Sequence, residues 1–212
     1  MILNRKKLEQ EIANYTFSDY FKSKISTENL VEFFEYHYKR EFINYKLKVD
    51  ENLNVDDLNQ TIHQATKFSK FENEIARREF IVAPILFKLS YLVDIQIHSE
   101  EAIYCSENLR GKLDYLIEAK TQFIIIEAKN NDLEIGGFKQ LIMELIALDK
   151  MLETTQHNFL YGAVTMGTEW GFVLLERKNK MIIRDLTKYI VPDRLKNIVA
   201  ILLNMLEDNK VY

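Results

Sequence analysis

The stretch from Gly111 to Asn130, GKLDYLIEAKTQFIIIEAKN, constrains the fold of this chain more than any other. Two apolar runs, Leu113–Ile117 and Phe123–Ile126, flank the polar segment Glu118–Gln122. This pattern predicts a β-hairpin or two adjacent strands. Asp114 stands early in the first run, and Glu127 and Lys129 close the second. Strand side chains alternate between faces, so Glu127 and Lys129 point the same way. Charge at the end of so apolar a strand pair is costly unless it is compensated, and a divalent cation would compensate it.

The flanking sequence divides into helical and strand patterns. Over the first seventy residues, ISTENLVEFFEYHYKREFINYKL carries Leu30, Phe33, Phe34, Tyr38 and Phe42 at helical spacing, with Ser26 or Thr27 as the cap. NVDDLNQTIHQATKF adds a second helix capped by Asn54. The aromatic stripe Phe33, Phe34, Tyr36 and Tyr38 is assigned to core packing rather than base stacking. KFENEIARREFIVAPILFKLSYL is amphipathic, with Ile75, Val82, Leu86 and Leu89 on one face and Pro84 inside. Glu79 falls on that apolar face, where a carboxylate needs a reason; Glu74 lies nearer its edge.

Leu92–Ile97 is predicted as a strand and Glu100–Arg110 as a loop. GGFKQLIMELIALDKMLE predicts a helix entered through Gly136 and Gly137, with Lys139 and Gln140 in its first turn. Its buried face is Phe138, Leu141, Ile142, Leu145 and Leu148. Strands are predicted at Leu160–Thr165, Trp170–Glu176 and Met181–Asp185. The turn Arg177-Lys178-Asn179-Lys180 is the densest basic cluster, and most turns of this kind serve solubility. A final amphipathic helix begins near Pro192, and Ile198, Ile201, Leu202 and Leu206 on it are available for a dimer interface or for packing on the sheet.

The Asp114 strand followed by Glu127-Ala128-Lys129 resembles the PD-(D/E)XK nuclease superfamily. The following GGFKQLIMEL is similar to the N-terminal nuclease domains of type I restriction subunits. The proline of the family name is absent, since Leu113 precedes Asp114. The resemblance spans Phe71 to about Leu186. It implies an α/β fold of the restriction-endonuclease-like type: a mixed central sheet flanked by helices, with a helical N-terminal extension. The expected organisation is a helical region over 1–70 and a nuclease-like core with a C-terminal helix over 71–212. The resemblance also implies metal-dependent hydrolysis of phosphodiester bonds, most naturally in DNA. Asp114, Glu127, the Ala128 carbonyl and a helix glutamate, Glu79 or Glu74, would hold Mg²⁺ or Mn²⁺, which suit hard oxygen ligands. Lys129 and Gln140 would complete the catalytic set. The alternative is a catalytically silent module that binds nucleic acid or a protein partner.

Composition limits these expectations. The formal net charge is −4, so bulk charge gives no support for nucleic-acid binding, and any basic surface must be local. The single cysteine, Cys105, excludes an internal disulfide and a paired-cysteine zinc site. No run of eighteen apolar residues and no signal-peptide pattern occurs, which predicts a cytoplasmic protein without a membrane span. Cutting both strands of a duplex with one site per chain favours a homodimer.

Overall fold

A computed structural model describes residues 5–45, 53–70, 73–120, 122–129, 133–152 and 157–207. In chain order the elements are α1 (Arg5–Ile12), α2 (Phe17–Lys22), α3 (Thr27–Phe33), β1 (His37–Glu41), α4 (Asp56–Phe68) and α5 (Glu74–Arg77). A π turn (Arg78–Val82) leads into α6 (Ala83–Ser90). Then come β2 (Ile95–Ser106), β3 (Leu109–Ala119), β4 (Phe123–Ala128), a second π turn (Leu133–Gly137) and α7 (Phe138–Met151). The chain continues through β5 (Phe159–Thr165), β6 (Glu169–Glu176), β7 (Met181–Asp185), β8 (Tyr189–Ile190) and α8 (Leu195–Leu206). The expected boundary at Phe71, the end of the hairpin motif at Asn130 and the 46–47 end of the expected first helix lie outside the described residues.

The protein is α/β, with a mixed sheet between helical layers. Among the described residues the strand order is β1-β7-β6-β5-β4-β3-β2, and β8 pairs with β6. β3 and β4 form the predicted antiparallel hairpin, with Tyr115 opposite Ile126 and Ala119 N–H closing on the Gln122 carbonyl. β4 and β5 are parallel, so the chain must cross over between them, and α7 is the helix of that crossover. One sheet face packs on α4, α6 and α8; Ile124 and Ile126 belong to this core. The other face packs on α7 and the N-terminal helices; Ile125 belongs here. Glu127 and Lys129 follow Ile125 in alternation onto the α7 side.

The helix α7 is buried on every side from Phe138 to Leu148. The sheet covers one flank, and Leu8, Ile12, Phe17, Tyr20 and Leu30 belong to the same apolar cluster on the other. At Gly136 the approach is so close that a Cβ would lie 2.7 Å from the Phe21 ring. Glycine is what lets α2 lie against the entry to α7.

Several expectations change. The predicted helix from residue 26 stops at Phe33, with Ser26 Oγ accepting the Asn29 N–H as the cap. Glu35 takes a positive φ of 69°, and His37–Glu41 becomes β1, parallel to β7. The open edge of β7 supplies hydrogen bonds that outweigh helical propensity in this aromatic-rich run. Phe34 and Tyr36 are core residues, as expected, while Phe42 is exposed. Asn54 Oδ1 accepts the Asp56 N–H, but the cap position of α4 falls to Val55 rather than Asn54. The loop expected over Glu100–Arg110 is instead a continuous ladder, with β2 running to Ser106 and β3 starting at Leu109. Its polar residues are exposed, as an edge ladder allows.

The amphipathic helix around Pro84 also differs. Pro84 has no N–H, and Ala83 N–H reaches back five residues to the Arg78 carbonyl. The extra residue in this π turn shifts the helical phase by about one residue, or ~100°. The buried set is therefore Ile81, Val82, Ile85, Leu86 and Leu89, while Ile75 is exposed. On α8, Ile198, Ile201, Leu202 and Leu206 are all buried in the chain's own core. That face is occupied and offers no dimer interface. Among the described residues, no helix is long and apolar enough to cross a membrane.

The basic turn 177–180 sits at the opposite end of β6 from Gly171, which lies in register with Val164 and thus with Glu127. The separation is about six strand residues, or ~20 Å. Arg177 there is a structural group. It pairs with Asp149 and donates to the Leu152 and His157 carbonyls. Tyr36 hydroxyl also donates to Asp149. We expect Arg177→Ala to cost about 3 kcal/mol in urea unfolding, because it strands the largely buried Asp149 carboxylate. Lys178→Ala on the exposed turn is expected to stay within ~0.5 kcal/mol. Equal effects of the two would contradict this assignment.

Candidate active site

The β3–β4 ladder stops at Tyr115–Ile126, and the charged residues begin there. Asp114 turns its carboxylate onto the strand it leaves: Oδ2 accepts the Ala128 N–H at 2.8 Å. Oδ1 accepts from Arg78 at 3.2 Å. On the α7 side, Glu127 is 1% exposed. Its Oε1 accepts the Gln140 amide at 2.7 Å and contacts Lys129 Nζ. Lys129 extends β4 by donating its N–H to the Thr165 carbonyl at 2.7 Å. Its ammonium also lies 5.4 Å from the centre of the Phe21 ring, so α2 roofs this corner.

The structure thus brings together Asp114, Glu127, Ala128, Lys129 and Gln140. It does not bring Glu79 to them. Glu79 is exposed rather than on the buried face, for the phase reason given above. Glu74 lies half-buried in the first turn of α5. The group from this helix that reaches Asp114 is the cation Arg78, which also binds Glu100 at 2.7 Å and stacks on Tyr115. Lys139, adjacent to Gln140, turns away to hold the Ser23 carbonyl at 2.6 Å.

One residue of the cluster is absent from the expected set. Glu144 is fully buried on α7 and accepts from the same Gln140 amide at 2.9 Å. The spacing signalled it: a residue four after Gln140 shares its helix face, and LIMELIAL holds one carboxylate among apolar residues.

The electrostatics follow from burial. Desolvation is the largest effect on Glu127, and the Glu144 and Asp114 charges add to it, holding its carboxyl well above the usual range. Lys129 opposes this. Burial raises Glu144 to about 7, although Gln140 and Lys129 pull the other way. Asp114 is raised by burial, against the Ala128 N–H and Arg78. Burial works against the Lys129 ammonium, but Glu127 and Asp114 outweigh it and its pKa rises.

Three carboxylates, Asp114, Glu127 and Glu144, therefore face two cations, Arg78 and Lys129. A proton on Glu144 or an added cation would balance them. As possible ligands, Glu127 Oε2 and Glu144 Oε2 are buried oxygens without a hydrogen bond. Against this, both oxygens of Asp114 are engaged. Among the described residues no three Asp, Glu, His or Cys side chains converge as a ready ligand group. The donor chemistry suits Mg²⁺ or Mn²⁺, and loading would require Arg78 or Lys129 to give way.

No protein-family model, curated protein or solved structure gives a significant match to this chain.

A pH effect is expected from Glu144. Its folded-state value is raised above the ordinary 4.5, so the proton stabilises the fold below that value. The contribution is lost as pH rises through about 7. In chelator-treated buffer, unfolding free energy should fall by about 3 kcal/mol between acid and mildly alkaline pH. Glu144→Gln should reduce that slope, leaving the part that Glu127 contributes; an unchanged slope would contradict the assignment.

Proposed function

We propose that this protein is a metal-dependent nuclease of the restriction-endonuclease-like fold, acting on phosphodiester bonds of DNA. The observation that carries the reading is the Asp114 carboxylate clamped on the Ala128 N–H. That clamp brings Asp114 beside Glu127 and Lys129, at the carboxyl end of a strand parallel to its neighbour. Ligand sites in α/β proteins favour this end of the sheet. Asp114, Glu127 and the Ala128 carbonyl would hold Mg²⁺ or Mn²⁺. The bound ion would polarise a phosphate oxygen and acidify water. Lys129, released from Glu127, would orient the attacking water and offset charge on the phosphate. Gln140 fixes the Glu127 carboxylate from α7, and Glu144 holds Gln140. Cutting both strands would call for a homodimer, with an interface away from the buried face of α8.

A second reading has its own support. Arg78 on Asp114 and Lys129 on Glu127 neutralise the two carboxylates, as in a silent module that binds without cutting.

The two readings separate in one assay. Nicking or linearisation of plasmid DNA should appear with Mn²⁺ or Mg²⁺ and vanish in EDTA. Glu127→Gln and Asp114→Asn should each lower the rate at least ~100-fold. Both should remain folded, because an amide oxygen can still accept the Gln140 or Ala128 hydrogen bond. Wild-type cleavage by both variants would end the nuclease reading; DNA binding without cleavage in any metal would favour the silent module.

A further inference from the structure

We propose that the solvent face of the π turn and α6 is a homodimer interface, on which a second copy of this chain packs the same helix antiparallel.

From Phe80 to Leu89 the chain reads FIVAPILFKL, and Lys88 is the one polar side chain in the run. Its ammonium binds Asp57 of α4 at 3.0 Å. The inner face packs Ile81, Val82, Ile85, Leu86 and Leu89 into the core. The outer face is apolar as well. Phe80 is 43% exposed, Phe87 63% and Tyr91 81%, with Pro84 half-buried between them. A surface helix ordinarily turns polar residues to water, and one that is apolar all round belongs in an interior.

The spacing says what covers this face. Phe80, Pro84, Phe87 and Tyr91 are four, three and four residues apart. The wide π turn carries Phe80 to Pro84 in about one turn, and Tyr91 keeps helical backbone angles as the cap of α6. The four line one stripe, with the alternating spacing that packs against another helix. The stripe also complements itself. In an antiparallel pair with its twofold axis midway between Ile85 and Leu86, Phe80 meets Tyr91 of the second copy and Pro84 meets Phe87 of the second copy. Rings then lie on rings or on the smaller proline, and no charged side chain stands at any of the four positions.

The area suffices. The exposed parts of Phe80, Phe87, Tyr91 and the adjoining Leu92, with the share of Pro84, come to roughly 500 Å². A symmetric pair therefore covers ~1,000 Å², where specific interfaces begin. Such pairing needs neither metal nor cleavage, so it is tested apart from the nuclease reading. Arg78 at the start of the same π turn binds Asp114, so the two candidate sites would flank the seam.

Sedimentation velocity of the full chain in EDTA should show a species of twice the 25.2 kDa chain mass. Phe87→Glu changes an exposed side chain and leaves the core filled. It should keep the wild-type circular dichroism and raise the dimer Kd at least ~30-fold. Phe42→Glu, at an exposed phenylalanine just after β1, should dimerise as wild type does. Tyr91→Glu should weaken the dimer, and adding Phe80→Lys to it should restore affinity, because the antiparallel register sets the two new charges opposite each other. A parallel pair would set like charges together. A wild-type monomer at ~100 µM, a Kd for Phe87→Glu within twofold of wild type, or no recovery from the added Phe80→Lys would overturn the proposal. A monomer that cuts DNA would leave the nuclease reading standing without this interface; a dimer through this face that never cuts would do the reverse.

Discussion

Burying the Glu127 carboxylate at the end of an all-apolar strand is the costliest single demand in this structure. An ionised group so placed carries a desolvation penalty of several kcal/mol unless its partners are well arranged. Groups on three elements provide them. Lys129 comes from the same strand, Gln140 from α7, and Asp114 fixes the strand end through Ala128 N–H. Remove any one and the remaining charges are left in a low-dielectric corner. The cluster therefore requires β3, β4 and the start of α7 to hold one relative position.

The sheet topology meets that requirement. Because β4 and β5 are parallel, α7 must cross between them, and its first turns come to rest over the end of β4. The N-terminal helices then bury the far side of α7 and place Phe21 over Lys129. Residues that sequence alone assigns to an extension thus form part of the wall around the candidate site. The first strand, at the edge of the sheet, pairs with β7 and sets Arg40 in register with Arg184.

The hairpin, α7 and the last three long strands were legible because their periodicity is local and strong. Asp114, Glu127, Lys129 and Gln140 were legible for the same reason: each breaks an apolar pattern at a strand end or helix start. What could not be read depends on contacts across the chain. Residues 37–41 become a strand only because β7 offers an open edge. Glu79 turns outward because the π turn before Pro84 resets the helical phase, which no fixed 100° periodicity anticipates. Glu144 was hidden within a helix taken as amphipathic with one buried face, whereas both flanks are covered.

Under the proposed function, Asp114 and Glu127 would form a cation site in which Arg78 and Lys129 hold the carboxylates until a metal displaces them. Anomalous diffraction from crystals soaked in Mn²⁺ at mildly alkaline pH tests it directly. One peak is expected about 2.1 Å from oxygens of Asp114, Glu127 and the Ala128 carbonyl, with Lys129 withdrawn from Glu127. Both carboxylates fully ordered on Ala128 N–H, Arg78, Gln140 and Lys129, with no peak between them at saturating Mn²⁺, would contradict it.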